Sequence, residues 1–150
     1  MRIVIIGGGF GGVYTAKQLI HRAPQNVEII LIDEKDYVLY TPMLHEVATG
    51  GLQPRMVMEP LRNILHGPNF QLYTGRAEQI DFRRREILTD KGTVPYDIVV
   101  IATGSEPNFF LPGTAQYALP LKTLTDAKHI RNKIVETMHL IPKPVVTVVG

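Results

Sequence analysis

An apolar strand, Arg2-Ile-Val-Ile-Ile6, runs straight into Gly7-Gly-Gly-Phe-Gly-Gly12, and no other feature of the chain restricts its fold as much. In Gly7-x-Gly9-x-x-Gly12 the first glycine permits a tight turn, the second lets backbone approach a pyrophosphate, and the third lets a helix pack closely on the strand. The helix that follows, from Gly11 to Ala23, directs its unpaired N–H groups and positive dipole end at that turn, which suits a diphosphate without a lysine. A second strand, Val27 to Ile32, ends in Asp33-Glu34 about 20 residues beyond the last glycine, where an acidic side chain meets ribose hydroxyls. Strand, glycine turn, helix, strand and acid together predict dinucleotide binding.

Downstream, Lys35 to Pro54 reads as a long irregular segment, too long for a simple connection and therefore expected to carry function. A short helix is predicted around Met58 to Leu65, ended by His66-Gly67-Pro68. Phe70 to Thr89 is strand-rich, with period-two alternation in Arg85-Glu-Ile-Leu-Thr89, and Gly75 and Lys91-Gly92 read as turns. The apolar run after Asp97, within Tyr96 to Gly104, suits a parallel strand buried on both faces. Leu121 to Leu140 reads as a helix with Thr123 or Thr125 as N-cap and Asp126 in its first turn, ended by Pro142 and Pro144. Val145 to Val149 then reads as a strand, so the chain reaches Gly150 in the same strand-then-glycine pattern with which it opens. The fold class these elements predict is α/β, a Rossmann-like three-layer arrangement of a central parallel sheet with a small antiparallel β-meander.

Composition narrows the function classes. A chain of 150 residues makes one domain of ordinary size with enough apolar content for a core. Net charge is only +2, and the one basic run, Arg83-Arg-Arg85, meets Glu86 in what reads as a hairpin turn, which argues for a solvated turn and against nucleic-acid binding. No stretch approaches the roughly 20 apolar residues of a membrane span, and Met1-Arg2 leads into the first strand without an export signal. With no cysteine there is no disulfide, thiolate metal site or thiol redox chemistry, so redox work falls to a cofactor. His21, His45, His66, His129 and His139 show no helical pairing that would hold a metal, and none is expected.

These residues carry a resemblance. Ile5 to Gly12, Ile32-Asp33, Tyr40-Thr-Pro-Met-Leu44 with Val47-Ala-Thr-Gly50, Tyr96-Asp97 with Ala102-Thr-Gly104, and Pro120 to Leu124 with Ile130-Arg-Asn132 resemble the N-terminal part of the flavin-dependent pyridine-nucleotide oxidoreductases. Within them the chain looks most like type II NADH dehydrogenases. The resemblance implies an FAD/NAD(P)-binding fold, FAD as cofactor and NAD(P)H as substrate of the intact protein, with electrons passed from NADH through FAD to a quinone-type acceptor.

By that resemblance the FAD diphosphate falls to Gly7, Gly9, Phe10, Gly11 and Gly12, and the adenosine ribose to Asp33, with adjacent Glu34 left open because strand phase decides between them. Main chain at Ala77 and Glu78 is expected to face adenine, Thr41 and Pro42 to border the isoalloxazine, and Ala102, Thr103 and Gly104 to close over the flavin nucleotide. No catalytic side chain is assigned, and Lys122 and Arg131 are read as surface or ion-pairing groups. Residues 1–112 are expected to form the N-terminal part of an FAD-binding domain. Residues 113–150 are expected to supply the connecting segment, helix and first strand of an NAD(P)H-binding domain, with a second glycine motif opening at Gly150. On that reading the isolated chain is inactive, its exposed apolar surface promotes dimerisation, and any peripheral membrane association, at the cytoplasmic face, uses regions beyond these residues. The rival readings are a sulfide:quinone reductase, another flavoprotein reductase of the same superfamily, and a non-catalytic nucleotide-binding module.

Overall fold

The computed structural model describes residues 1–149, which fall into two compact units. The first comprises Met1–Leu39 and Met58–Ser105; the second comprises Tyr40–Val57 and the residues from Glu106 onward.

In the first unit the β-branched run Arg2–Ile6 forms β1, and helix α1, Phe10–Arg22, follows the glycine turn. β2, Glu28–Asp33, lies parallel to β1 with Ile3 opposite Ile29 and Ile5 opposite Leu31. β3, Tyr37–Leu39, pairs antiparallel with β4, Met58–Pro60, and the single helical turn α3, Leu61–Ile64, starts directly after Pro60. β5, Phe70–Thr74, joins β2; β6, Ala77–Asp81, β7, Glu86–Thr89, and β8, Gly92–Pro95, form an antiparallel meander; β9, Ile98–Ile101, returns to pair parallel with β1. The parallel sheet has the order β5-β2-β1-β9.

Strand periodicity sorts this unit into the predicted three layers. Ile3, Ile5, Ile29 and Leu31 face α1, through Ala16 and Val13, and α3, through Leu61. The alternate residues Val4, Ile6, Ile30 and Ile32 face the meander at Ile87 and Val94. Each fully buried Ile or Leu contributes about 1.5–3 kcal/mol, so the two sheet faces hold the unit together.

In the second unit a 3-10 turn, Thr41–Met43, runs into helix α2, Leu44–Thr49, and Pro54–Val57 forms another such turn. Two further helices follow, α4 at Thr114–Tyr117 and α5 at Leu124–Leu140. Helix α2 packs on α5, and Leu44, Val47, Ala48 and Ala127 are buried there. Of the two N-caps the sequence left open, Thr123 and Thr125, it is Thr123 that caps α5: its hydroxyl accepts from Asp126 N at 3.1 Å while Asp126 Oδ2 accepts from Thr123 N at 2.7 Å.

Four expectations need correction. The segment from Lys35 to Pro54 is not irregular; it holds β3, a 3-10 turn and α2, whose Leu44, Val47 and Ala48 follow helical spacing. The helix around Met58 to Leu65 starts only at Leu61, because Met58–Pro60 is drawn into pairing with β3. β9 is not buried on both faces: it forms the sheet's outer strand among the described residues, and Ile98 and Ile101 are 45% and 59% exposed. Residues 145–149 form no strand, because β-structure needs a hydrogen-bonded neighbour and none lies beside them among the described residues; Val145 and Val148 are each 90% exposed. The predicted second glycine turn at Gly150 lies outside the described residues. Among those residues no helix is long and apolar enough to cross a membrane.

Candidate functional site

The order β5-β2-β1-β9 reverses direction beside β1: the chain moves outward through β2 and β5, then returns to the other side at β9. In open α/β sheets a crevice opens outside the strands' carboxyl ends at such a point. There β1 delivers Gly7 and β9 delivers Ala102, whose N–H donates to Ile6 O at 2.8 Å.

Each glycine of the turn has a different neighbour. Gly7 has φ 107°, and a Cβ on it would sit 2.3 Å from Ala102 O, so β1 and β9 leave no room for a side chain. A Cβ on Gly12 would lie 1.8 Å from Gly7 O, which is why α1 packs this closely on the turn. Gly9 differs: nothing lies within 4 Å of its missing Cβ. It is also the N-cap of α1, with no side-chain capping bond. A 13-residue helix with no side-chain cap, starting beside open space, presents the positive end of its dipole to an anion. Phe10 starts α1 and is half-exposed; Gly11, the next residue, has Ala102 Cβ at 4.0 Å from its missing Cβ. Gly104, after Thr103, adopts φ 77°.

Asp33 ends β2 with both carboxylate oxygens engaged: Gly8 N donates to Oδ2 at 2.6 Å and Lys35 N to Oδ1 at 2.8 Å. Glu34 points elsewhere, with its carboxylate 3.9 Å from Arg76 Nε. The two candidate acids thus diverge, one toward the glycine turn and one toward a groove of about 330 Å³ lined by Glu34, Thr74, Gly75, Arg76, Asp90 and Lys91. Within it Arg76 Nη2 donates to Glu78 Oε1 at 2.9 Å, Arg76 N donates to Asp90 Oδ1 at 2.8 Å, and Lys91 Nζ donates to Thr74 O. The bond to Glu78, then its charge and that of Glu34, hold the Arg76 guanidinium above its ordinary pKa. Ala77 opens β6 at the groove's edge, opposite Thr89.

The structure therefore gathers Gly7, Gly9, Phe10, Gly11, Gly12, Asp33 and Ala102 around the end of β1, with Thr103 and Gly104 following on. Glu34 and Ala77 lie at the neighbouring groove, whereas Thr41 and Pro42 belong to the second unit, in the turn before α2. Sequence reading passed over Gly8, Arg76, Asp90 and Lys91. Only Lys91-Gly92 carried a local signal, that of a turn, and nothing local tied it to Arg76. All five histidines are exposed, and among the described residues no three His, Asp or Glu side chains gather as a metal site.

Sheet order and glycine turn define the doubly wound, nucleotide-binding class of α/β folds. The chain belongs to the pyridine nucleotide-disulphide oxidoreductase family, which it matches over residues 1–150. It is 36% identical over 144 residues to demethylphylloquinone reductase NdbB of Synechocystis sp., covering 89% of this chain and 35% of that protein. It is 37% identical over 139 residues to type II NADH:quinone oxidoreductase NdhA of Mycobacterium tuberculosis, covering 89% and 29%. Among solved structures, the sulfide:quinone oxidoreductase of Aquifex aeolicus matches with a TM-score of 0.80 and 29% identity, over 92% of this chain and 32% of that one. The chain spans about a third of the length of the curated relatives it matches.

Proposed function

We propose that this chain is the FAD-binding part of a flavin-dependent NAD(P)H:quinone oxidoreductase. The observation that carries the reading is the open start of α1 at Gly9, with no side-chain cap, between Gly7 and Gly12, which have no such space. A helix start with open space at its N-cap glycine and the positive end of the dipole behind it suits a diphosphate. Gly9, Phe10, Gly11 and Gly12 would hold the FAD diphosphate, Asp33 or Glu34 the ribose, main chain at Ala77 the adenine, and Ala102, Thr103 and Gly104 the flavin nucleotide. Thr41 and Pro42 would border the isoalloxazine. FAD, when bound, supplies hydride acceptance from NAD(P)H and electron delivery to a quinone, and the polypeptide supplies binding, orientation and exclusion of water.

Two relatives named as quinone or demethylphylloquinone reductases, each above 35% identity, support the acceptor class. On this reading residues 1–112 belong to the FAD-binding domain and 113–150 lead into an NAD(P)H-binding domain. Peripheral association with the cytoplasmic face of a membrane, and self-association through exposed apolar surface, belong to the same proposal. The sulfide:quinone reading is favoured by the Aquifex aeolicus structure but offers no cysteine in this chain for the sulfur chemistry.

The test is a titration of FAD into the purified chain, followed by flavin fluorescence. Saturable quenching that disappears when Gly9 is replaced by valine is the expected result; saturable binding that ignores Gly9, or none at all, overturns the site.

A further inference from the structure

Gly50 ends α2 with φ 90°, and the point where its Cβ would lie is 3.6 Å from each of Cζ, Nε and Nη2 of Arg131 on α5. Three atoms of one planar group at equal distance from a point mean that the guanidinium meets the glycine face-on. A Cβ at Gly50 would meet that face at ordinary van der Waals distance, and it is the backbone conformation, φ 90°, that selects glycine. The cationic head thus lies over the C-terminal turn of α2, where carbonyls carry the negative end of the helix dipole. Arg131 is solvent-exposed, so this contact is a weak stabiliser. Its consequence is geometric.

Helix α2 is continuous with the turn before it. Leu44 N donates to Thr41 O, and Met43 N donates to Tyr40 O at 3.1 Å, so residues 41–49 form one short rod. Its buried residues Leu44, Val47 and Ala48 repeat at helical spacing and seat the rod against α5, while contacts at its two ends set where those ends lie. Tyr40 N, donating to Val57 O at 2.8 Å, ties the first end. We propose that Arg131 is a positioning residue that ties the second: by lying flat on Gly50 it fixes where the rod rests on α5, and so where Thr41 and Pro42 are held. Its value to the protein rests on the flavin-side reading of Thr41 and Pro42 given above.

The experiment records backbone amide chemical shifts of the 15N-labelled chain with Arg131→Ala, Arg131→Lys and, as a control on the same helix, Lys128→Ala. Arg131→Ala is expected to move Gly50 and also Thr41, Met43 and Leu44, with little change in the unfolding midpoint. Arg131→Lys, which keeps the charge and loses the plane, is expected to move the same amides; Lys128→Ala leaves them in place. A response confined to Gly50, or full restoration by lysine, overturns the planar clamp. Adding FAD to the unsubstituted chain separates the two readings: if Arg131→Ala moves Thr41 to Leu44 but FAD does not, the clamp stands and the flavin role of Thr41 and Pro42 falls.

Discussion

The backbone N–H of Gly8 donates to Asp33 Oδ2 at 2.6 Å, so the acid that ends β2 braces the glycine turn that ends β1. The second oxygen of the same carboxylate holds Lys35 N at 2.8 Å, which fixes the side chain from its far side. Hydrogen bonds to a charged group are worth about 1.5–3 kcal/mol, and this one is partly buried. Glu34 makes no comparable bond and reaches toward Arg76 instead. The two adjacent acids therefore have separable roles.

Asp33→Ala is expected to destabilise the first unit by about 1–2 kcal/mol in urea unfolding, and Asp33→Asn by less, because an amide oxygen still accepts from Gly8. FAD affinity should fall in both. Glu34→Gln should leave stability within about 0.5 kcal/mol, as surface changes do. If Glu34→Gln weakens FAD binding and Asp33→Asn does not, the ribose belongs to Glu34.

Gly9 and Gly12 should respond in opposite ways. Serine is a good N-cap, so Gly9→Ser is expected to hold or raise stability by a few tenths of a kcal/mol while lowering FAD affinity, since it fills open space at the helix start. Gly12→Ala drives a methyl into Gly7 O and is expected to cost at least the roughly 1–3 kcal/mol of an overpacked core. Thermal unfolding and FAD titration of both variants provide the check. A Gly9→Ser variant that binds FAD normally would remove that space from the site.

What was legible in the sequence was local. The turn from Gly7 to Gly12 and the cap at the start of α5 each act within a few residues; the turn appears where its glycines placed it, and the cap falls on Thr123, one of the two threonines the sequence offered, with Asp126 in the first turn. Pairing between distant short segments was not legible: three residues, Tyr37–Leu39, show no alternation to read, and their partner Met58–Pro60 sits at the start of the stretch that reads as a helix. The apolar run of β9 fits a central or an outer strand equally, and only its neighbours decide. At the site, the bond from Gly8 to Asp33 joins residues 25 apart, and Arg76 met Glu34 and Asp90 only through the strand order.

Asp126 gives α5 a pH dependence whose sign follows from its partners. Burial acts first and raises its pKa, but the N–H groups of Thr123 and Lys122, the Thr123 hydroxyl and the charge of His129 together bring it below the ordinary value. A carboxyl with a depressed folded pKa contributes stability above its unfolded pKa, near 3.9, and loses it as pH falls through the lower folded value. Helicity followed at 222 nm should therefore drop more steeply on acidification for the native chain than for Asp126→Asn, which also loses about 1 kcal/mol of capping at neutral pH. Parallel curves would remove Asp126 from the acid response.

A pair of hydroxyls joins the parallel sheet to the meander. Thr89, buried on β7, donates its hydroxyl to Gly92 O at 2.7 Å and accepts from Lys91 N at 3.2 Å. Its single proton being committed, the 2.9 Å contact with the Tyr73 hydroxyl on β5 has the tyrosine as donor. Thr89→Val keeps the shape but strands the tyrosine hydroxyl and the Gly92 carbonyl, at an expected cost of about 1–3 kcal/mol. Tyr73→Phe removes one donor and should cost about 0.5–1.5 kcal/mol. In the double variant no phenol is left unpaired, so the combined loss should fall short of the two single losses added together. Urea unfolding of the four proteins measures this coupling, and strict additivity would mean that the hydroxyl pair does not hold the meander to the sheet.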